Sequence, residues 1–196
     1  MSGKSVGILS PRKQEILAVA QELFSQQGYA ATSIRDLAKV LEIKPASLYS
    51  HYDSKEEILW EIALRGAQEF LDAVRPIAAQ PLAPNLLIEE MVAAHVQVII
   101  RHKDVSAIFF KEWKRLSEPR RSEYGELIQT YEQIFSQVIQ QGIDAGLFSP
   151  LPPRFVTSML LASINWIQHW YQENGPMRPA EVAQHCQRFI LSGLSA

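Results

Sequence analysis

Hydrophobic residues recur at helical spacing along almost the whole chain, and no stretch alternates strictly enough to predict a β-sheet. The first pattern predicts a helix over Pro11–Gln27, with Ser10 as its N-cap and Gly28 as its stop. Its buried stripe is expected to comprise Ile16, Ala20, Leu23 and Phe24. We therefore predict an all-α protein of about nine helices, three in an N-terminal head and six in a C-terminal body.

Caps and prolines set the remaining predicted boundaries. Ser54 begins a long helix that ends near Arg75-Pro76, and Glu57 lies at capping-box spacing from Ser54. Further helices are predicted over about 85–102, 104–116, 119–145, 153–173 and 179–191. We divide the chain into a predicted N-terminal domain, residues 1–55, and a predicted C-terminal domain, residues 56–196.

The function is indicated most strongly by the segment 28–55, GYAATSIRDLAKVLEIKPASLYSHYDSK. It predicts a short helix capped by Thr32 and Ser33, a tight turn and a second helix over about Lys44–Tyr52. Pro45 suits the first turn of that second helix, where a missing N–H costs nothing. This is the pattern of a helix-turn-helix, whose second helix enters the DNA major groove.

Small and hydroxyl side chains dominate the outward positions of the second helix, so that it can approach base edges closely. These positions are Lys44, Ala46, Ser47, Tyr49 and Ser50. Phosphate contacts are predicted for Thr32, Ser33, Tyr49, His51 and Lys55. The alternatives are an ordinary packed helical hairpin for the segment and a solvated side chain for Lys55.

Charge and composition narrow the function classes. The 196 residues carry a net charge of -2, which argues against a charge-driven, histone-like binder of nucleic acid. Residues 1–55 carry +2 and the remainder -4. One cysteine permits no intrachain disulfide, and no apolar run reaches the ~20 residues of a membrane span, so we expect a soluble cytoplasmic protein. His185 and Cys186 lack metal-ligand spacing, and we expect neither a metal nor a cofactor.

The body combines aromatic and apolar helix faces with a few polar residues, as ligand pockets do. The candidate ligand-binding residues are His95, Phe109, Phe110, Trp113, Tyr131, Phe135, Asn165, Trp166, His169 and Trp170. The alternative for a lone histidine on such a face is a structural residue with internal hydrogen-bond partners.

Large apolar side chains near the C-terminus favour a subunit interface. They are Trp166, Trp170, Tyr171, Phe189, Ile190 and Leu191. The alternative is that both helices pack only on their own chain.

The head resembles the DNA-binding region of the tetracycline-repressor (TetR) family over about residues 11–64. The resemblance is carried by Leu23-Phe24 and Gly28, by ATSIRDLAKVLEI and by KPASLYSHYDSKEEIL. It implies a homodimeric repressor that binds a palindromic operator and dimerises through its last two helices. It also implies DNA contacts by Thr32, Lys44, Ala46, Ser47, Tyr49, His51 and Lys55. Glu42 departs from the family's usual glycine between the two motif helices, at a cost of about 1 kcal/mol in a left-handed turn.

Residues 109–148 and INWIQHWY are similar to TetR regulators of fatty-acid, steroid and aromatic-acid breakdown, several of which sense acyl-CoA thioesters. The resemblance implies a small hydrophobic effector such as an acyl-CoA or aryl-CoA. Arg115, Arg120 and Arg121 would then contact CoA phosphates, or are simply solvated. The alternative function is a DNA-binding regulator or architectural protein without an effector. We do not expect an enzyme, because the chain has no Gly-rich phosphate loop and no Gly-x-Ser-x-Gly motif.

Overall fold

The structure, a computed structural model, describes residues 7–102, 108 and 110–195. Helices form nearly all of the regular structure in these residues, which confirms the all-α fold class; Phe148 and Ser195 form an isolated β-bridge. In chain order the elements are α1 (Pro11–Gln27), α2 (Ile34–Val40), α3 (Pro45–Tyr49), α4 (Lys55–Ala78), α5 (Pro84–Arg101), a 3₁₀ turn (Glu112–Arg115), α6 (Arg120–Asp144), α7 (Pro153–Asn165), α8 (Ile167–Trp170) and α9 (Pro179–Leu194).

Local signals place the ends of α1 where the sequence predicts them. The Ser10 hydroxyl accepts a hydrogen bond from the Lys13 N–H at 3.4 Å. At the other end Gly28 takes φ 85°, and its N–H donates to the Phe24 carbonyl at 3.1 Å. A residue with a side chain is strained at this φ, so glycine is the residue that stops the helix here.

Two boundaries differ from their predictions. The helix α3 ends at Tyr49 rather than at Tyr52, because the His51 N–H bonds back three residues to the Leu48 carbonyl at 3.0 Å. The helix α4 continues through Pro76 to Ala78 instead of ending near Arg75. The proline removes one helical hydrogen bond, and less than one further turn follows it, so the helix loses little.

The region predicted as one helix from Pro153 is divided at Trp166 into α7 and α8. The His169 N–H bonds to the Trp166 carbonyl three residues back, at 3.0 Å, and Tyr171 is extended. The last helix, α9, extends to Leu194, beyond the predicted 191. The predicted helix 104–116 lies partly outside the described residues, which exclude 104–107 and 109, and its described end is the 3₁₀ turn Glu112–Arg115.

The chain divides into two units, which we call the head and the body. The head comprises Met1–Gln68 and Asp104–Gly125. In it α2 packs against both α1 and α3, and the buried apolar side chains include Ile16, Phe24, Leu37, Leu48, Tyr52, Ile58 and Leu59. Burying these side chains supplies the stability that such short helices lack on their own.

The body comprises Glu69–Lys103 and Glu126–Ala196. Its central helix is α5, which packs against α7, α8 and most extensively α9. The buried side chains of α5 include Leu87, Ile88, Met91, Val92, Val96 and Ile99. Within the described ranges, no helix is both long and apolar enough to cross a membrane.

The turn between α2 and α3 is made by a glutamate in the left-handed conformation. Glu42 has φ 55°, and the next residue, Ile43, donates its N–H to the Ala38 carbonyl at 2.9 Å. This hydrogen bond ends α2, and the left-handed residue turns the chain into α3. Glu42, which stands where the family usually has glycine, is therefore the one non-glycine residue with positive φ among those described.

Substituting Glu42 tests the strain in this turn. Glu42 is exposed, so a substitution removes no buried contact. We predict that Glu42→Gly raises the free energy of unfolding by about 0.5–1 kcal/mol, since relief of left-handed strain exceeds the added freedom of the unfolded chain. Glu42→Val should lower it by about 1–2 kcal/mol, because a β-branched residue tolerates positive φ poorly. Urea unfolding measures both, and equal stability of the two variants would contradict the assignment.

Candidate nucleic-acid interface and buried polar core

The exposed face of α3 carries the residues predicted to contact bases. Leu48 is fully buried, and it fixes the rotation of this short helix. The other side chains then point to solvent: Lys44, Ala46, Ser47, Tyr49 and Ser50 are all exposed, Tyr49 by 51%. The Ser50 hydroxyl donates to the Ser47 carbonyl at 2.7 Å, which ties it to its own helix. Small side chains around one aromatic residue give a surface that can approach base edges closely.

The start of α2 forms the second part of the face. The exposed Ser33 accepts the Asp36 N–H at 3.2 Å, and its own N–H donates to the Asp36 carboxylate at 2.8 Å. This reciprocal capping box fixes the first turn of α2. Hydrogen bonds from Ser33 lower the pKa of the Asp36 carboxyl group.

Thr32 differs from its prediction. Its side chain is only 1% exposed, and its hydroxyl donates to the Gly28 carbonyl at 2.9 Å and accepts from the Gln27 amide at 3.2 Å. The hydroxyl is therefore used inside the head and is not displayed to a phosphate or to the N–H groups of α2. Ser33 alone caps that helix.

Lys55 and His51 are both half-buried. The Lys55 ammonium donates to the carbonyls of Tyr29 and Thr32, each at 2.7 Å, and lies 4.2 Å from the centre of the Tyr29 ring. Burial, with a smaller contribution from Arg115, lowers the pKa of Lys55. Lys55 is thus bound to the loop before α2, whereas the sequence predicted a contact with phosphate.

An open groove of about 710 Å³ joins these parts of the head. Ser33, Pro45, Tyr49 and Lys55 line it, together with Arg35. Sequence reasoning missed Arg35, an exposed cation in the first turn of α2. Its position two residues after the N-cap Ser33 was the available signal, because residues beside a helix N-terminus can reach the anion that such a terminus attracts.

Three polar side chains pair with one another in the interior of the body. His95 Nδ1 lies 2.6 Å from the Tyr131 hydroxyl, and His95 Nε2 lies 2.8 Å from Asn165 Oδ1. An amide oxygen only accepts, so Nε2 carries the proton and Nδ1 accepts from the tyrosine. Desolvation by burial lowers the pKa of His95 to about 4, and the hydrogen bond to Asn165 opposes it. His95 is therefore neutral at pH 7.

Aromatic rings surround this polar cluster. Phe70, which sequence reasoning missed, lies 4.9 Å from His95 between ring centres, and Phe135 lies 5.4 Å from Tyr131. The structure therefore brings together four predicted candidates: His95, Tyr131, Phe135 and Asn165.

The other ligand candidates lie elsewhere. Trp166, His169 and Trp170 are exposed, and Trp166 stacks on His169 with 4.3 Å between ring centres. Trp113 belongs to the head, where it packs on Tyr124 at 5.2 Å. Phe110 is half-buried, and Phe109 lies outside the described residues. The apolar character of the tryptophans predicted an interior position, but in this chain they lie on the surface.

An apolar stripe runs along the exposed side of α7. Phe155, Met159 and Trp166 are 56%, 58% and 62% exposed, and their spacings of four and seven residues place them on one helix face. On α9, Phe189 is 70% exposed. A groove of about 270 Å³ is lined by Trp170 and Phe189. We call Phe155, Met159, Trp166 and Phe189 the apolar stripe.

Two family models match the chain. Residues 16–62 match the model described as bacterial regulatory proteins, tetR family. Residues 87–194 match the model described as tetracyclin repressor-like, C-terminal domain. The first match includes α2 and α3, and the second includes most of α5 and all of α7 and α9.

Relatives and solved structures agree with these models. The HTH-type transcriptional repressor KstR2 of Mycobacterium tuberculosis is 30% identical over 96% of both chains. The solved structure of this ketosteroid transcriptional regulator, 28% identical, has a TM-score of 0.89 and covers 97% of this chain and 98% of its own. AibR, solved in complex with isovaleryl coenzyme A and operator DNA, has a TM-score of 0.82 at 23% identity, with 91% and 97% covered.

Acid pH tests the neutral state of His95. Its folded-state pKa of about 4 lies below the unfolded value near 6.5, so its contribution to stability is complete above about pH 6.5 and is lost as pH falls toward 4. Between pH 7 and pH 5 the free energy of unfolding should fall by about 2 kcal/mol more in the wild type than in His95→Gln. The exposed His169→Gln serves as the control and should lose as much as the wild type. An identical pH dependence in His95→Gln and the wild type would contradict burial of the neutral ring.

Proposed function

The chain belongs to the TetR family of bacterial regulatory proteins, and we propose that it represses transcription as a homodimer that binds a palindromic operator and is released by a hydrophobic effector. It is a DNA-binding transcriptional regulator rather than an enzyme, as its relatives are. We propose residues 1–55 as the DNA-binding domain and residues 56–196 as the ligand-binding and dimerisation domain. The observation that carries the proposal is the exposed face of α3 beside the capped start of α2.

This face supports DNA binding by its shape and its chemistry. Ala46 and Ser47 are small enough for α3 to lie close to base edges, and Tyr49 is long enough to reach the sugar-phosphate backbone. Two exposed cations add to this face: Arg35 near the start of α2 and Lys44 near the start of α3. We propose that Ser47 influences which bases are preferred, whereas Tyr49, Ser33, Arg35 and Lys44 hold the backbone.

The apolar stripe supports a homodimer. Monomeric proteins in water rarely leave a contiguous apolar surface of large side chains, and such surfaces mark interfaces. The stripe spans α7 and α9, so two copies would bury it as a bundle of four helices. A two-fold symmetric dimer then presents two copies of α3, which is why we propose a palindromic operator.

The buried cluster supports an effector site in the body. Its apolar walls, Phe70 and Phe135, suit a hydrocarbon or aromatic group, and the Tyr131 hydroxyl could turn from His95 to donate to a thioester carbonyl. We propose an acyl-CoA or aryl-CoA, and the complex of AibR with isovaleryl coenzyme A supports a CoA thioester as an effector compatible with this fold.

The arginines proposed for CoA phosphates are already paired. Arg115 bonds Glu112 at 2.6 Å, Arg121 bonds Glu118 at 2.8 Å, and Arg120 lies 3.9 Å from Glu56. These pairs favour the alternative in which the three arginines are surface residues. The acyl or aryl part of the effector is therefore the better supported half of the proposal.

An effector lowers the affinity for the operator only if it binds more tightly to a dimer conformation in which the two heads are wrongly spaced for the operator. We propose that α4 carries this coupling, since its residues belong to both units. Glu56 in its first turn also accepts two hydrogen bonds from Ser117, from the N–H at 3.1 Å and from the hydroxyl at 2.7 Å. A displacement of residues 117–120 would therefore also displace the start of α4, which directly follows the helix-turn-helix.

Charge in the apolar stripe tests the dimer. We predict that Phe189→Arg is monomeric at micromolar concentration, because an unpaired arginine buried in the interface costs several kcal/mol. Leu82→Arg replaces another exposed apolar residue of the body, 40% exposed, and should stay dimeric. Sedimentation measures both variants. A dimeric Phe189→Arg would place the interface elsewhere.

Release of the protein from its operator by an effector tests the proposed function. The purified protein on an operator recovered from its own genome is titrated with CoA thioesters of differing acyl and aryl chains and with the free acids. We predict a 10- to 100-fold loss of operator affinity with at least one thioester, about 1.4–2.8 kcal/mol of coupling. Tyr131→Phe should reduce this response and leave ligand-free operator binding unchanged, whereas Tyr171→Phe, another buried tyrosine of the body, should respond as the wild type does.

Release by free acids as strong as by thioesters would remove CoA from the proposal. Operator binding that no compound of the panel alters would favour a regulator without a small-molecule effector. Failure to recover any operator would contradict the proposed function as a whole.

A further inference from the structure

Lys55 lies where the first turn of α4 meets the loop that leads into α2. Its ammonium donates to the Tyr29 and Thr32 carbonyls, both at 2.7 Å, and the Tyr29 ring lies 4.2 Å away. An ammonium has three N–H groups, so two of them are used inside the head and the aromatic ring interacts with the same charge. A phosphate that approached Lys55 would have to compete with these partners.

The loop held by Lys55 determines where α2 begins. Gly28 turns the chain at φ 85°, the Thr32 hydroxyl bonds the Gly28 carbonyl at 2.9 Å, and the next residue, Ser33, is the N-cap of α2. The two carbonyls that Lys55 binds are at the first and last residues of the segment 29–32. One side chain therefore clamps both ends of the segment that sets the position of Ser33.

The same segment lines the groove in the head. Ala30, Ala31 and Ser33 line this groove together with Pro45 and Tyr49 of α3. The charge of Arg115 contributes, after burial, to the lowered pKa of Lys55. A half-buried ammonium that already donates to two carbonyls is suited to holding backbone, whereas the exposed Lys44 is suited to meeting a phosphate.

We propose that Lys55 is a positioning residue, which clamps residues 29–32 and thereby holds Ser33 and the start of α2 at the spacing from Tyr49 that the DNA backbone requires. Its ammonium binds the two carbonyls rather than a phosphate. This inference rests on the proposed function, and it assigns to Lys55 a role different from the direct phosphate contact that the sequence predicts.

Salt dependence separates the two roles. Each lysine that neutralises a phosphate contributes about 0.9 to the slope of log affinity against log salt concentration. A residue that only positions other groups changes the affinity and leaves this slope unchanged. The test uses the full-length protein with three variants: Lys55→Met, Lys55→Gln and, as the matched control, Lys44→Met. Operator affinity is measured from 50 to 300 mM salt, and amide hydrogen exchange is measured in the DNA-free protein.

For Lys55→Met we expect about tenfold weaker binding, a salt slope within about 0.3 of the wild type, and faster exchange of amides in residues 29–37. Lys55→Gln keeps a neutral donor for the carbonyls, so it should bind within about threefold of the wild type. Lys44→Met should reduce the magnitude of the slope by about 0.9 and leave exchange in residues 29–37 unchanged.

A slope reduced by about 0.9 in both Lys55 variants, with unchanged exchange, would overturn the proposal in favour of a phosphate contact. Unchanged exchange in Lys55→Met overturns the clamp even if the wild type binds no operator, because this arm of the test needs no DNA. If Lys55→Met does not fold, Lys55→Gln decides: wild-type slope and near-wild-type affinity support the clamp, and tenfold loss with a reduced slope contradicts it.

Discussion

The head of this protein depends on the burial of one leucine. The helix α3 has five residues, far fewer than a helix needs to be stable in water, so tertiary packing must hold it in place. Leu48 is fully buried, and burying such a side chain contributes about 2–3 kcal/mol. Because a helix turns by 100° per residue, fixing Leu48 inward also fixes Ser47 and Tyr49 outward. Packing and the surface offered to DNA are thus two consequences of the same contact.

Several backbone constraints then place this surface. Glu42 accepts a left-handed conformation to turn the chain from α2 into α3, and Gly28 does the same between α1 and the loop before α2. The capping box of Ser33 fixes the first turn of α2, and Lys55 ties the preceding loop to α4. Several of the side chains that line the groove are small, so their spacing depends largely on the backbone that carries them.

The sequence predicts features that depend on neighbouring residues. The caps of α1 and α4, the stop at Gly28 and the turn at Glu42 follow from short-range hydrogen bonds and φ preferences, and the structure confirms them. Periodicity also identifies which α3 residues face outward. Periodicity cannot tell whether an apolar helix face is covered by the rest of the chain. The prediction that Trp166 and Trp170 line an interior pocket is therefore wrong, since both side chains are exposed.

The sequence also did not predict which side chains pair with partners that are distant along the chain. Asn165 and Tyr131 reach His95 across 70 and 36 residues of chain, and Glu56 binds Ser117 across 61. Thr32 carries a hydroxyl suited to a cap or a phosphate, yet the fold buries it against Gly28. In each case the side-chain chemistry was correctly read, and the partner was decided by tertiary packing. The exposure of the α3 residues was accordingly easier to predict than the partners of His95.

In the proposed dimer, DNA is recognised by a symmetric pair of α3 helices. Hydroxyl-radical footprinting of the wild-type protein on its operator detects such a pair. We expect two protected half-sites related by two-fold symmetry, with centres separated by one helical turn of DNA, about 34 Å, or a multiple of it. A single protected stretch without symmetry, or uniform protection along the whole fragment, would contradict recognition by a symmetric pair of helices.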